Sequence, residues 1–173
     1  MNITSHEEYG LRCALQLARS FGNGPLSASK VAEREGISVE YVSKFMHLFR
    51  KAGVVKSIRG TQGGFELCRP PKEIVLKEIL SVLGGRDSTR QHFCQHYSGL
   101  KEVCVNICSC SIRPLWSVIT YYFESIFNHL SLKDLMGSEE DVMQTVQDLF
   151  SQKMAMSDAK SGSFQDLRAE GMV

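Results

Sequence analysis

The stretch from Ser27 to Cys68 constrains this chain more than any other. Ser27 or Ser29 opens a short helical run over Lys30–Glu35, and Gly36 breaks it. Ser38 then caps a second run on which Tyr41, Val42, Phe45, Leu48 and Phe49 share one face. A serine at the N-cap accepts from an orphan backbone N–H, and a glycine past a helix end takes the left-handed conformation other residues resist. Lys51-Ala52-Gly53 closes the second run. Two β-like runs follow, Val54–Ile58 and Phe65–Cys68, separated by the tip Arg59-Gly60-Thr61-Gln62-Gly63-Gly64. Two short helices on a tight glycine turn, then a hairpin with a basic tip, predict a mainly α fold. Its core is a winged helix-turn-helix domain with a small β-hairpin wing.

The flanks are helical. Thr4 or Ser5 caps a first helix with Glu7 and Glu8 in its first turn and Tyr9, Leu11, Leu15 and Ala18 at helical spacing, broken at Gly22-Asn23-Gly24-Pro25. After Arg69-Pro70-Pro71 a fourth helix is expected over Lys72–Leu83, with Ile74/Val75, Ile79 and Val82/Leu83 on one face. Pro114 suits the first turn of a long helix on which Leu115, Ile119, Tyr122, Ile126 and Leu130 follow at about four-residue steps. That helix is more apolar than one small domain easily covers, so its stripe is expected to pack against a two-fold copy of itself. Ser138-Glu139-Glu140-Asp141 starts a last helix through Phe150, and the Ser/Gly/Asp/Lys-rich end from Ser157 is expected to be disordered. The expected organisation is a winged domain over 1–85, a cysteine-containing loop over 86–112, a dimerisation helix and C-terminal helix over 113–150, and a tail over 151–173.

Composition narrows the partners. With 173 residues and 43% hydrophobic content the chain can build one real core. No apolar run approaches the roughly 20 residues that span a bilayer, and the first residues lack a signal peptide's basic flank and apolar centre. A cytoplasmic protein is expected, without a membrane partner. Residues 1–70 carry ten lysines and arginines against six acids, a net +4, whereas residues 111–173 carry five against nine, a net −4. The basic half suits a polyanion. In a winged helix the third helix enters the major groove by its N-terminal side chains, which assigns Ser38, Glu40, Tyr41, Ser43 and Lys44 to DNA, with Arg59 and Gly60 of the wing tip at a phosphate or the minor groove. There is no P-loop, dinucleotide fingerprint, nucleophile elbow or helix-opening C-x-x-C. An enzyme such as a thiol oxidoreductase is therefore the weaker reading.

Four of the six cysteines, Cys94, Cys104, Cys108 and Cys110, fall in the loop without periodicity. Thiolates are soft ligands for zinc or iron–sulfur clusters, and a flexible loop can wrap a cluster without breaking other structure. Zinc usually organises paired C-x₂₋₄-C knuckles, and these are not repeated here. A metal-free winged-helix regulator acting through redox thiols or a protein partner is a further alternative. His92 and His96 flank Cys94 as candidate ligands. Cys13 and Cys68 read as small core residues, and His6, His47 and His129 as surface or satisfied histidines.

Several segments together carry a resemblance. Leu11-Arg12 after Glu8-Tyr9, Gly36-Ile37-Ser38 with Tyr41, Leu48-Phe49-Arg50-Lys51-Ala52-Gly53, and Ser57-Ile58-Arg59-Gly60 with Gly63-Gly64-Phe65 resemble the Rrf-two family of bacterial winged helix-turn-helix transcription regulators (IscR-, NsrR- and RirA-like) over roughly residues 1–136. The resemblance implies a homodimer on a pseudo-palindromic double-stranded operator, with many members sensing iron–sulfur status, nitric oxide or redox state. It also implies a 2Fe–2S or 4Fe–4S cluster on three cysteines, the last a few residues before a tryptophan, as Cys110 stands before Trp116. Cys104-x5-Cys110 has the family's second spacing, and Cys94-x9-Cys104 is longer than its usual first. Cys108 is an extra thiol, and Arg113 stands where IscR-type proteins carry a histidine. The fourth ligand is then Cys108 or a carboxylate from the partner subunit's first helix, for which Glu8 is the matching position and Glu7 the weaker candidate.

Overall fold

The computed structural model describes residues 4–84, 100–101 and 103–160, with side chains through residue 152. Cys94, His92 and His96 lie outside the described residues. Helix α1, Ser5–Arg19, begins with a reciprocal cap: the Thr4 hydroxyl accepts from the Glu7 N–H at 3.2 Å, and the Glu7 carboxylate accepts from the Thr4 N–H at 2.8 Å. Helix α2, Ala28–Glu35, is capped by Ser27 and ends at Gly36, whose φ of 65° turns the chain into α3, Val39–Lys51. Ser38 caps α3, accepting from the Tyr41 N–H at 3.1 Å.

The buried stripe of α3 is Val42, Phe45, Met46 and Phe49, the i, i+3, i+4, i+7 row of one helical face. Tyr41 and Leu48, expected on that stripe, flank it half-buried. The stripe packs with Cys13, Ala14 and Leu17 of α1 and Val31 of α2, all at 0–1% exposure. Each large side chain so buried contributes about 1.5–3 kcal/mol relative to exposure, so this cluster holds the unit together.

Strands β1, Val55–Ile58, and β2, Gly64–Leu67, pair antiparallel in the register Val55↔Leu67 to Ile58↔Gly64. Leu26 adds a third rung, exchanging both backbone hydrogen bonds with Phe65 at 2.9 and 3.0 Å. This rung explains Gly64. A Cβ there would stand 2.5 Å from the Leu26 carbonyl oxygen, closer than any side chain tolerates. Leu67 is buried, and the pleat therefore turns its neighbour Cys68 outward. Cys68 is exposed, which corrects its expected core placement; Cys13, at 0%, does lie in the core.

The helix expected over Lys72–Leu83 divides. Pro71–Glu73 is a single 3₁₀ turn, Ile74 and Val75 are extended, and helix α4 covers only Leu76–Val82. The cause is distant in sequence. Val75 pairs with Ser131, the Leu76 N–H donates to the Leu130 carbonyl at 2.8 Å, and the Leu132 N–H donates to the Ile74 carbonyl at 2.9 Å. Leu130 and Leu132 are buried with Ile74 and Ile79 and close the winged unit's core.

Helix α5, Arg113–His129, precedes that stitch, and a 3₁₀ turn at Asp134–Met136 follows it. Helix α6, Glu139–Lys160, runs ten residues beyond the expected end at Phe150, into the segment expected to be tail. Its Asp141 carboxylate accepts from the Ser138 hydroxyl and N–H, which holds Asp141 below the usual carboxylate range. Among the described residues no helix is long and apolar enough to cross a membrane.

Candidate nucleic-acid interface and thiolate loop

On the outer face of α3, Glu40, Ser43 and Lys44 are exposed. Ser38, also exposed, has its hydroxyl oxygen engaged as the cap. Tyr41 differs from its expected neighbours. Its ring lies 4.6 Å from that of Phe45 and 6.2 Å from that of Tyr9, so it belongs chiefly to the aromatic seam between α1 and α3. His6 joins the seam, 4.8 Å from Phe45. His6 also lines a shallow groove with Glu40, Ser43, Lys44 and His47.

The two histidines at this groove were not singled out by sequence pattern. His47 had a signal, because Glu40, Ser43 and His47 follow helical spacing on one face. His6 had none, since its approach to α3 depends on how α1 packs. At the wing, Arg59 and Gly60 are exposed, and the Gly63 N–H closes the tip on the Gly60 carbonyl at 2.9 Å. Lys56 and Glu66 pair across the strands at 3.4 Å. Lys44 and Arg59 have no ion pair among the described residues, so both are free to meet phosphate.

A chain of polar groups runs from the start of α1 to the helix-turn-helix. Glu8 pairs with Arg12 at 2.8 Å, and Arg12 reaches Glu35 at 3.9 Å. The Glu35 side chain, 9% exposed, accepts from Gln16 Nε2 at 2.5 Å, and Gln16 Oε1 accepts from Arg34 at 3.3 Å. The hydrogen bond and charge of Glu8 hold the Arg12 guanidinium above its already high value. Burial first, and then the Glu35 charge, push the Cys13 thiol up to about 12. At neutral pH it is protonated and inert.

The segment ahead of α5 contrasts with Cys13. Cys104 and Cys110 are half-buried and Cys108 is exposed, all as free thiols. Two turns shape this segment: Ile107 N–H to Cys104 O and Ser109 N–H to Asn106 O, both 3.1 Å. Arg113 folds over it, its Nη2 donating to the carbonyl of Ile107 and, at 3.4 Å, to that of Asn106. The structure thus brings Cys104, Cys108 and Cys110 into one short loop. It does not bring Glu8 of the same chain to them: among the described residues no three His, Cys, Asp or Glu side chains gather to hold a metal.

None of the side chains of α5 is buried in this chain. Its outward apolar residues are Leu115 (57% exposed), Trp116 (48%), Val118, Tyr121 (58%) and Phe123. The residues of the expected interface stripe differ in exposure. Leu115 is exposed as anticipated, and Ile119 is half-buried. Tyr122 packs on Phe150 of α6 at 6.2 Å, Ile126 packs against the core, and Leu130 is inside it. The four-residue ladder followed the side of α5 that its own chain covers progressively toward the C-terminal end.

A solvent-facing third helix beside a glycine-tipped hairpin, both on one helical core, defines a winged helix-turn-helix protein. Residues 3–138 match the Rrf2 family, described as an iron-dependent transcriptional regulator, and the chain belongs to that family. The regulator IscR of Aliivibrio salmonicida is 32% identical over 141 residues, spanning 81% of this chain and 80% of that protein. Among solved structures, CymR, the global cysteine regulator of B. subtilis, superposes with a TM-score of 0.64 at 29% identity, over 79% of this chain and 96% of CymR. IscR of T. potens gives 0.62 at 28%, over 79% and 86%. The IscR of Aliivibrio salmonicida is a transcriptional regulator of the helix-turn-helix type.

Proposed function

We propose that this transcriptional regulator is a homodimer whose operator binding is controlled by an iron–sulfur cluster on Cys94, Cys104 and Cys110, with Cys108 or Glu8 of the partner subunit completing the ligands. One observation carries the reading: the thiol loop leads directly into α5, whose far end is stitched by backbone hydrogen bonds into the core that carries α3. The residue types suit the group: cluster sites take Cys thiolates, sometimes with another donor, and among the described residues the buried Arg113 Nε beside this loop has no acceptor. When bound, the cluster supplies an oxidant-sensitive crosslink between otherwise separate thiols.

The chain's own residues do the rest. Leu115, Trp116, Val118 and Tyr121 form the surface that meets a second copy. A two-fold dimer then sets two α3 helices about one DNA turn, roughly 34 Å, apart on a pseudo-palindromic site. Ser38, Glu40, Ser43 and Lys44 face the bases and phosphates, and Arg59 with Gly60 the neighbouring backbone. Glu8, as a ligand, would have to leave Arg12. That exchange ties ligation to the Arg12–Glu35 contact at the end of α2.

A second reading, metal-free thiol sensing, has its own support. CymR of Staphylococcus aureus in its oxidized form superposes with a TM-score of 0.63 at 25% identity, and Cys108 is exposed beside two further thiols. Iron and acid-labile sulfide analysis with a visible spectrum of anaerobically purified protein separates the two. The cluster reading expects both elements and a spectrum that vanishes when Cys94, Cys104 and Cys110 are all replaced by Ala. Colourless wild-type protein whose DNA shift responds to diamide and thiol reductant would replace it with the thiol reading.

A further inference from the structure

The leading turn of α3 carries an apolar side chain where the surrounding surface is polar. Ser38 caps the helix and leaves Val39 as its first residue, with no preceding turn to cover it. Val39 is 40% exposed, although Val42 and Met46, in the same helical row, are at 0%. Within residues 4–84 the other exposed large apolar side chains, Phe21 and Ile58, lie off this helix. Val39 lines the shallow groove that His6 and His47 share, beside the exposed Glu40 and Ser43 and with the half-buried Leu48 toward its other end. Val39 and Ser43 are i, i+4 neighbours and so stand one above the other on the helix. Lys44, exposed and with no ion pair among the described residues, gives the same face a charge that suits a polyanion.

A valine on a surface that meets DNA has few favourable partners. Against a phosphate it would strip water from a charge and return no hydrogen bond. The base edges of the major groove present donors and acceptors, and one apolar group, the C5-methyl of thymine. We infer that Val39 is a specificity-determining residue: its methyl groups pack on the C5-methyl of a thymine in each operator half-site. The inference rests on the docking of α3 in the major groove proposed above and deepens it by naming a base. Val39 stands on the N-terminal turn, the part of a recognition helix that reaches base edges. It leaves the helix about 100° from Glu40, so the thymine lies beside the base that Glu40 meets. Deoxyuridine pairs as thymine does and lacks only that methyl, so the contact can be deleted from the DNA as well as from the protein.

The test uses full-length protein purified anaerobically as wild type, Val39→Ala, Val39→Ser and Arg59→Ala, each checked for folding by circular dichroism. Duplexes selected from a random pool by the wild-type protein define its half-site, and each thymine is then replaced in turn by deoxyuridine. One thymine per half-site should be sensitive: losing its methyl should weaken wild-type binding about fourfold, the scale of burying one methyl-sized group, and about fifteenfold with both half-sites changed. Val39→Ala and Val39→Ser should bind the thymine and deoxyuridine duplexes equally at that position. Arg59→Ala should bind both more weakly and keep the wild-type ratio between them. Wild-type protein indifferent to every thymine methyl overturns the role of Val39 and leaves the docking of α3 standing. So do Val39 variants that lose affinity equally on both duplexes, because a merely structural part leaves the ratio unchanged. Wild-type protein that selects no sequence from the pool overturns the docking reading and this inference together.

Discussion

The α1–α3 core and the arm formed by the thiol loop and α5 have similar apolar content and opposite fates. In the core, Phe45, Phe49, Val42 and Cys13 reach 0% exposure, and even the polar Gln16 is buried with its amide satisfied. In the arm, a 17-residue helix rich in Trp, Tyr, Phe, Leu and Ile buries none of its residues within this chain. Apolar surface of that size is not a folding solution for a monomer, since exposed patches of this kind mark sites of association. The first region is complete as a single chain. The second leaves its apolar face and its thiols uncovered in the single chain.

Cysteine chemistry gives the widest separation. With an alkylating reagent at pH 8, Cys68 and Cys108 should label on mixing, whereas Cys13 should label only on unfolding, at least about a thousandfold more slowly for a domain of ordinary stability. Comparable rates, read by peptide mass spectrometry, would break the distinction between closed core and open arm. Substitutions follow. Phe45→Ala should cost about 3–5 kcal/mol in denaturant unfolding. Trp116→Ala should stay within about 0.5 kcal/mol for the monomer yet weaken self-association by about 2 kcal/mol, measured by sedimentation. Equal losses of fold stability would mean that α5 belongs to the intrachain core. The smallest effect concerns DNA. Arg59→Ala should weaken operator binding and reduce the slope of log K against log salt by about one; an unchanged slope would remove Arg59 from the phosphate contacts.

Legibility in the sequence followed the range of the causes. Ser27, Gly36, Ser38 and Gly53 act through their own backbones, and the helix-turn-helix and hairpin appear where those residues put them. The division of the 72–83 segment was hidden because Ile74 and Val75 are held extended by Ser131 and its neighbours, more than fifty residues later. The partial covering of the α5 stripe has a related cause. Periodicity reports which residues share a face, but the covering of Tyr122, Ile126 and Leu130 depends on α6 and the core. At the thiol loop, the residue types suggested soft-ligand chemistry, while the fold of Arg113 onto two carbonyls has no periodic signal at all. Glu8 illustrates the limit of spacing arguments: its Arg12 partner is an i, i+4 pair readable on a helix, but the link onward to Glu35 is tertiary.

The backbone stitch between Ile74–Leu76 and Leu130–Leu132 also sets an order of synthesis. Leu132 is wholly buried and contributes to the core from the far side of α5. A nascent chain that has emerged only through Leu83 therefore has an unfilled site beside Ile74 and Ile79. Cys110 emerges twenty-two residues before Leu132, an interval of roughly one to four seconds at translation rates of about 5–20 residues per second. The thiols leave the ribosome before the core that Leu132 completes has closed.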